Sequence, residues 1–199
     1  MMGFSRCRTN QRGAMFGIDA RVAMAVLGAL SVVAGYIGYS QITAARHGAL
    51  LSEVQQIDKA VRELQSSVGT FYQFAISTPD GVRDFDALTD STMLLTGFQG
   101  RWSGPYLTQS RRDHPIYGVY TLTYGQADRT ACTVNSTCFV WIELTQVPAD
   151  VWTTINRQMD EDNGETPETT PISEGIVRAD AANDPRTLYY RSAERPRGR

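Results

Sequence analysis

The sequence predicts an α+β protein, one long N-terminal helix followed by a small β-rich head. Three observations lead there. Val22 to Tyr39 run eighteen residues without a charge, Leu50 to Phe71 carry apolar residues at alternating spacings of four and three, and beyond Ser77 that periodicity gives way to turn residues and short alternating runs. A chain of 199 residues leaves room for one compact domain and one accessory element. Hydrophobic residues make up 42% and charged residues 20%, close to globular averages, which excludes wholesale disorder and a polytopic membrane protein. Nineteen basic against 21 acidic side chains give a net charge of −2, with Lys59 the only lysine, so composition predicts no nucleic-acid binding.

The charge-free run comes first. Residues 1–14 carry Arg6, Arg8 and Arg12 and no acid, and the eighteen uncharged residues after Arg21 reach roughly 27 Å as a helix, near the hydrocarbon thickness of a bilayer. A cleaved secretory signal needs a shorter apolar core and a small-x-small site, which Gly35-Tyr36-Ile37-Gly38 imitates poorly. Basic residues ahead of the span predict a cytoplasmic N-terminus, with everything after Ser40 outside. Small residues recur four apart at Ala25/Ala29, Ser31/Gly35 and Ala34/Gly38, a spacing that lets a second helix approach within lipid. Asp19 and Arg21 stand at the mouth of the span, where charge is costly enough to suggest a purpose.

The helix is expected to continue. Leu50, Val54, Ile57, Val61, Leu64, Val68 and Phe71 form one stripe, Asp58/Arg62 and Lys59/Glu63 sit four apart on the polar side, and no proline occurs before Pro79. The predicted helix covers 15–75, with 22–42 transmembrane and the remainder amphipathic. Its stripe suits either a coiled-coil partner or the back of a sheet.

Residues 76–190 read as the head and 191–199 as a frayed tail. Ile116 to Tyr124 and Cys138 to Leu144 read as strands, Val147 to Met159 as a short helix opened by Pro148, and Leu188-Tyr189-Tyr190 as a final edge strand. Cys7 lies in the leader, without the small-residue pattern of a lipoprotein site, which leaves Cys132 and Cys138 as an even pair outside the membrane. A disulfide between them is predicted, with a loop too short to remove more than about 2 kcal/mol of chain entropy.

Taken together, the N-terminal residues resemble those of type IV pilins and type II secretion pseudopilins. In that family a short basic leader ends in a small residue, a prepilin peptidase cuts there, and an acid stands fifth in the mature chain before an apolar helix. A cut between Ala14 and Met15 makes Met15 the first residue, the position that is N-methylated in the family, and makes Asp19 the fifth. A cut after Gly13 would make Asp19 sixth, and one after Gly17 would put Val22 fifth. The chain departs from the pattern in having Ala14 for the usual glycine, Asp19 for the usual glutamate, and Arg21 where an uncharged residue is usual.

The resemblance implies that Asp19 sets axial register, its carboxylate compensated by the α-amino group of a neighbouring subunit. The alternative is a plain helix cap. It further implies an amphipathic half-helix packed on an antiparallel sheet, and Trp102 to Leu107 (WSGPYL) resembles the segment joining helix to sheet in many such proteins. The implied partners are the bacterial inner membrane, the peptidase and other pilin-like subunits, with the head periplasmic and then displayed on an extracellular filament. An uncleaved single-pass anchor holding a periplasmic domain in an envelope complex is the alternative.

No nucleotide-cradling loop, nucleophile elbow or HExxH is present, so no catalytic residues and no enzymatic activity are expected. Asp160, Asp162 and Asn163, with Gly164 and Glu165, supply hard oxygen ligands around a glycine, and some pseudopilins bind calcium in a surface loop; that makes these residues a calcium candidate against the simpler reading of a solvated acidic turn. Asn135-Ser136-Thr137 matches a glycosylation acceptor. Arg111, Arg112, Asp113 and His114 read as a solvated charged turn.

Overall fold

The computed structural model describes residues 16–108, 112–133, 136–160, 175–180 and 184–195. Ala14, Met15, Asp162, Asn163, Asn135 and Arg111 lie outside them. The chain divides into two compact units, one ending at Arg46 and the other beginning at His47.

Helix α1 spans Phe16–Val68. It stops seven residues earlier than the sequence predicts, at Gly69. That residue takes φ +71° and donates its N–H to the Gln65 carbonyl at 3.1 Å. Glycine adopts this left-handed conformation without Cβ strain, which is how many helices end. The Arg101 guanidinium donates to the freed Val68 carbonyl at 3.2 Å. Phe71 is then extended, and Tyr72–Ala75 form a single further turn, α2.

In the second unit, the described residues between 77 and 119 hold no regular strand. Two short helices, α3 (Val82–Asp86) and α4 (Thr96–Gln99), flank a 3₁₀ turn at Ser91–Met93. This differs from the β-rich texture expected there. Phe85, Leu88 and Leu94 are buried at irregular spacings that match neither strand nor helix period, so only the tertiary core explains their placement.

Four strands follow: β1 (Tyr120–Gly125), β2 (Phe139–Val147), β3 (Val177–Ala179) and β4 (Arg186–Glu194). They pair antiparallel in the order β1-β2-β4-β3. β1 begins four residues later than expected, because His114 and Gly118 close a turn through an N–H from His114 to the Gly118 carbonyl at 2.9 Å. β4 is interior where an edge was predicted. It also continues to Glu194, and Arg195 donates its N–H to the Cys138 carbonyl at 2.7 Å, so the first four residues of the tail expected from Arg191 are strand. Helix α5 (Ala149–Met159) starts after Pro148 as predicted; the Asp184 carboxylate accepts the Ala149 N–H at 3.1 Å, serving as a remote N-cap.

The core sits between the α1 stripe and one sheet face. Leu50, Val54, Ile57, Val61, Leu64, Val68 and Phe71 are each at most 2% exposed and form one cluster with Leu122, Ile142, Leu144 and Leu188. Val151, Trp152 and Ile155 join it from α5. The stripe is thus satisfied within the chain, which decides between the two partners its spacing allowed.

Asp84 is a buried acid in this unit, 1% exposed. Its Oδ2 accepts the Gly81 N–H at 3.0 Å while Oδ1 has no hydrogen-bond partner. Burial pushes its pKa from 3.8 up to about 6; the Gly81 N–H and nearby Tyr124 hydroxyl oppose the rise, and Asp80 adds to it. A carboxyl whose pKa is raised by folding stabilises the fold fully below its unfolded pKa, and that contribution disappears as pH rises through the folded one. The loss is roughly 2–3 kcal/mol between pH 4 and 7. In Asp84→Asn, which mimics the neutral acid, the melting temperature relative to wild type is expected to rise by roughly 4–8 °C between pH 4.5 and pH 7.5. A difference constant with pH would show that Asp84 is not ionising in the core.

Candidate functional site

The first unit is considered alone. Residues 17–46 are helical, and their apolar side chains point outward on every side. Ile18, Met24, Val32, Tyr36 and Tyr39 are each more than 70% exposed. This helix is long and apolar enough to cross a membrane. Its few hydroxyls are absorbed within the helix: Ser31 Oγ donates to the Leu27 carbonyl at 2.7 Å, Ser40 Oγ to Ile37 at 2.9 Å and Thr43 Oγ1 to Tyr39 at 3.0 Å. Such back-bonding lowers the cost of placing a hydroxyl in lipid. Tyr36 and Tyr39 stand near the end of the apolar run, the level at which amphipathic rings favour a membrane interface. Asp19 occupies the first turn of α1, where a carboxylate is favoured by the helix dipole. An added Cβ at Gly28, Gly35 or Gly38 would meet nothing within 4 Å, so the small-residue faces are open.

Within the second unit, Cys132 and Cys138 are disulfide-bonded, as predicted. The bond ties the β1–β2 connection to the start of β2. Arg195 reinforces it from the C-terminal strand by donating from Nη2 to the Thr133 carbonyl at 3.2 Å and to the Ser136 carbonyl. Nothing in the local sequence around Arg195 points to this role, because the contact crosses about sixty residues.

The WSGPYL segment packs Tyr106 onto α1, with its hydroxyl 2.6 Å from Ser67 Oγ, and Trp102 Nε1 donates to the Ala87 carbonyl at 3.1 Å. The two rings meet edge to face at 5.7 Å. A Cβ on Gly104 would lie 2.7 Å from Trp102 and 2.8 Å from Tyr106, so only glycine fits between them.

Of the calcium candidates, Asp160 is described, and its carboxylate is already engaged. Oδ1 accepts the Ile176 N–H at 2.7 Å and Oδ2 the Val177 N–H at 2.9 Å, joining the end of α5 to the start of β3. Among the described residues no group of three His, Cys, Asp or Glu side chains gathers in a way that could hold a metal.

His114 belongs to a corner. Its Nδ1 accepts from the Ile116 and Tyr117 N–H groups at 3.1 and 3.0 Å, which leaves the proton of the neutral ring on Nε2, 3.4 Å from Glu53 Oε2. Burial lowers the His114 pKa and raises that of Glu53, so both shifts favour an uncharged imidazole here. The contact lies beside a cleft of about 590 Å³ lined on the α1 side by Glu53, Gln56, Lys59 and Glu63. Arg112, read from the sequence as solvated, pairs with Asp86 at 3.1 Å.

These features define an α+β chain with one helix able to cross a membrane and a disulfide-tied antiparallel head. Comparison with protein-family models, curated proteins and solved structures finds no match for the chain.

Proposed function

We propose that the chain is a structural subunit, a pilin or pseudopilin, of a type IV pilus or type II secretion-like filament. Prepilin peptidase removes residues 1–14 at the inner membrane, Met15 becomes the methylated N-terminus, and the apolar helix packs against copies or relatives while the head is displayed outside. One observation carries this reading. A single helix, α1, begins with Asp19 beside an apolar segment exposed on all sides and ends in a one-sided stripe that closes the core of the head. A filament uses both halves: the first buries its surface against other helices, and the second holds the head to the shaft.

The test is intact mass and N-terminal sequencing of C-terminally tagged protein, produced with and without a prepilin peptidase. The expected mature chain starts at Met15, and only when the peptidase is present. A full-length chain in both samples would refute the filament reading and favour an uncleaved anchor. Peptidase-independent cleavage near Gly38 would make the chain an ordinary secreted protein.

A further inference from the structure

The sheet face turned away from the α1 stripe carries three arginines that make no close ion pair with a described acid. Alternate residues of a strand share a face. Leu188 and Tyr190 point into the core, so Tyr189 and Arg191 point away from it; Trp141 lies opposite Arg191, and Tyr189 lies opposite Glu143 on one side and Arg178 on the other. Arg129 reaches the same place from the β1–β2 connection, its guanidinium carbon 3.6 Å above the Tyr189 ring. Arg191 lies 5.0 Å over Phe139, and Arg178 lies 5.2 Å from the Trp141 ring. Three guanidiniums therefore surround one tyrosine, each against an aromatic face. Arg178 is 3% exposed, whereas Arg129 and Arg191 are half-buried.

The nearby carboxylates are committed to other donors. Glu143 accepts from the Thr123 and Thr121 hydroxyls at 2.5 and 3.4 Å, and Asp128 accepts from the Thr130 N–H and hydroxyl at 3.0 and 2.6 Å. Asp160 is held by Ile176 and Val177, and Asp180 accepts the Thr187 N–H at 2.7 Å. None of the ion pairs among the described residues includes Arg129, Arg178 or Arg191. Burial, then Arg191 and Arg129, hold the Arg178 pKa below its ordinary value, while Asp128 and Asp160 oppose the shift. Four carboxylates stand near the three arginines, but no charge-assisted hydrogen bond joins the two sets. A guanidinium stacked on a ring keeps its N–H edge free, and that edge recognises phosphate-type oxygens with two parallel bonds.

We propose that Arg129, Arg178 and Arg191 form a binding site for a tetrahedral oxyanion of phosphate or sulfate type. Arg178 Nε donates to the Gly175 carbonyl at 3.4 Å, and the remaining guanidinium N–H groups of the three arginines still offer more donors than the two oxygens of a carboxylate accept, which favours a tetrahedral anion. The site is independent of how the N-terminus is processed.

The full chain in detergent would be titrated with sodium phosphate and, separately, sodium sulfate, at an ionic strength held constant with sodium chloride, and followed by calorimetry and thermal unfolding. Saturable single-site binding is expected, with the melting temperature rising as phosphate or sulfate exceeds its dissociation constant. Arg129→Gln and Arg191→Gln should each weaken binding at least about tenfold. Arg83→Gln, whose arginine already pairs with Asp80, should leave binding unchanged. If Arg178→Gln fails to fold, the two half-buried positions still carry the test. A parallel titration with glycerol 1-phosphate identifies the source: tighter binding than inorganic phosphate points to an ester on a larger ligand, and equal or weaker binding to the free anion. Heats no different from the chloride control, or unaltered binding in both the Arg129→Gln and Arg191→Gln variants, would overturn the site.

Discussion

An Asp19→Ala chain is expected to lose its leader normally and then to fail to enter filaments, with sheared-filament yield falling below detection while membrane levels stay near wild type. The physical reason is that a carboxylate among packed apolar helices is tolerated only with a compensating cation, and in a filament that cation is the α-amino group of a neighbour. In the proposed filament, removing the acid would leave the amine buried without a partner and erase the preference for one axial register. A simple N-cap behaves differently. Its loss costs about 1 kcal/mol of helix stability and would leave assembly intact. Asp19→Glu, which keeps the charge, is expected to restore filaments. Normal filaments in Asp19→Ala would remove the register role, whatever the outcome of leader processing.

The second large effect lies in the head. Leu64 is fully buried at the centre of the α1 stripe, and Leu64→Ala is expected to cost about 3 kcal/mol, lowering the melting temperature by roughly 6–12 °C. The size follows from a wall the truncated site cannot collapse against, with Leu122, Ile142 and Leu144 from two paired strands in the same core. Lys59→Ala, one turn away on the solvated face, should change stability by less than about 0.5 kcal/mol, because the Lys59–Glu63 pair at 3.7 Å is 77% and 50% exposed. The loss in Leu64→Ala should also be independent of protein concentration. A stripe that paired between chains would make it concentration-dependent.

Much of this fold was legible because its main signals are local. The uncharged run, the four-three stripe and the two exported cysteines are each contained in a few dozen residues, and each reappears as an exposed apolar helix, a buried helix face and a disulfide. The stripe alone fixed which side of α1 would be buried, but it left open what would bury it. Val147 to Met159 was readable as a helix because Pro148 opens it and Val151, Trp152 and Ile155 share one face.

What escaped the reading depends on partners distant in sequence. α1 ends at Val68 because Gly69 turns left-handed and Arg101 caps the end, and glycine within a helical pattern does not by itself distinguish a weak point from a stop. β4 looked like an edge because strand order is not written in strand composition; it lies between β2 and β3. The arginines that meet around Tyr189 come from positions 129, 178 and 191, and no sequence window holds them together.

The sequence by itself determined the membrane-length helix, the face of α1 that is buried, and the cysteine pair, because apolar periodicity and charge act over one or two turns of chain. Tertiary structure alone decided that a sheet covers the stripe, that Asp160 spends both oxygens on backbone N–H groups, that Asp84 is buried with one oxygen unpaired, and that three arginines each lie over an aromatic ring of one sheet face. Those outcomes depend on which strands pair and in what register, and antiparallel pairing joins residues whose separation in the chain carries no energetic mark until the core forms.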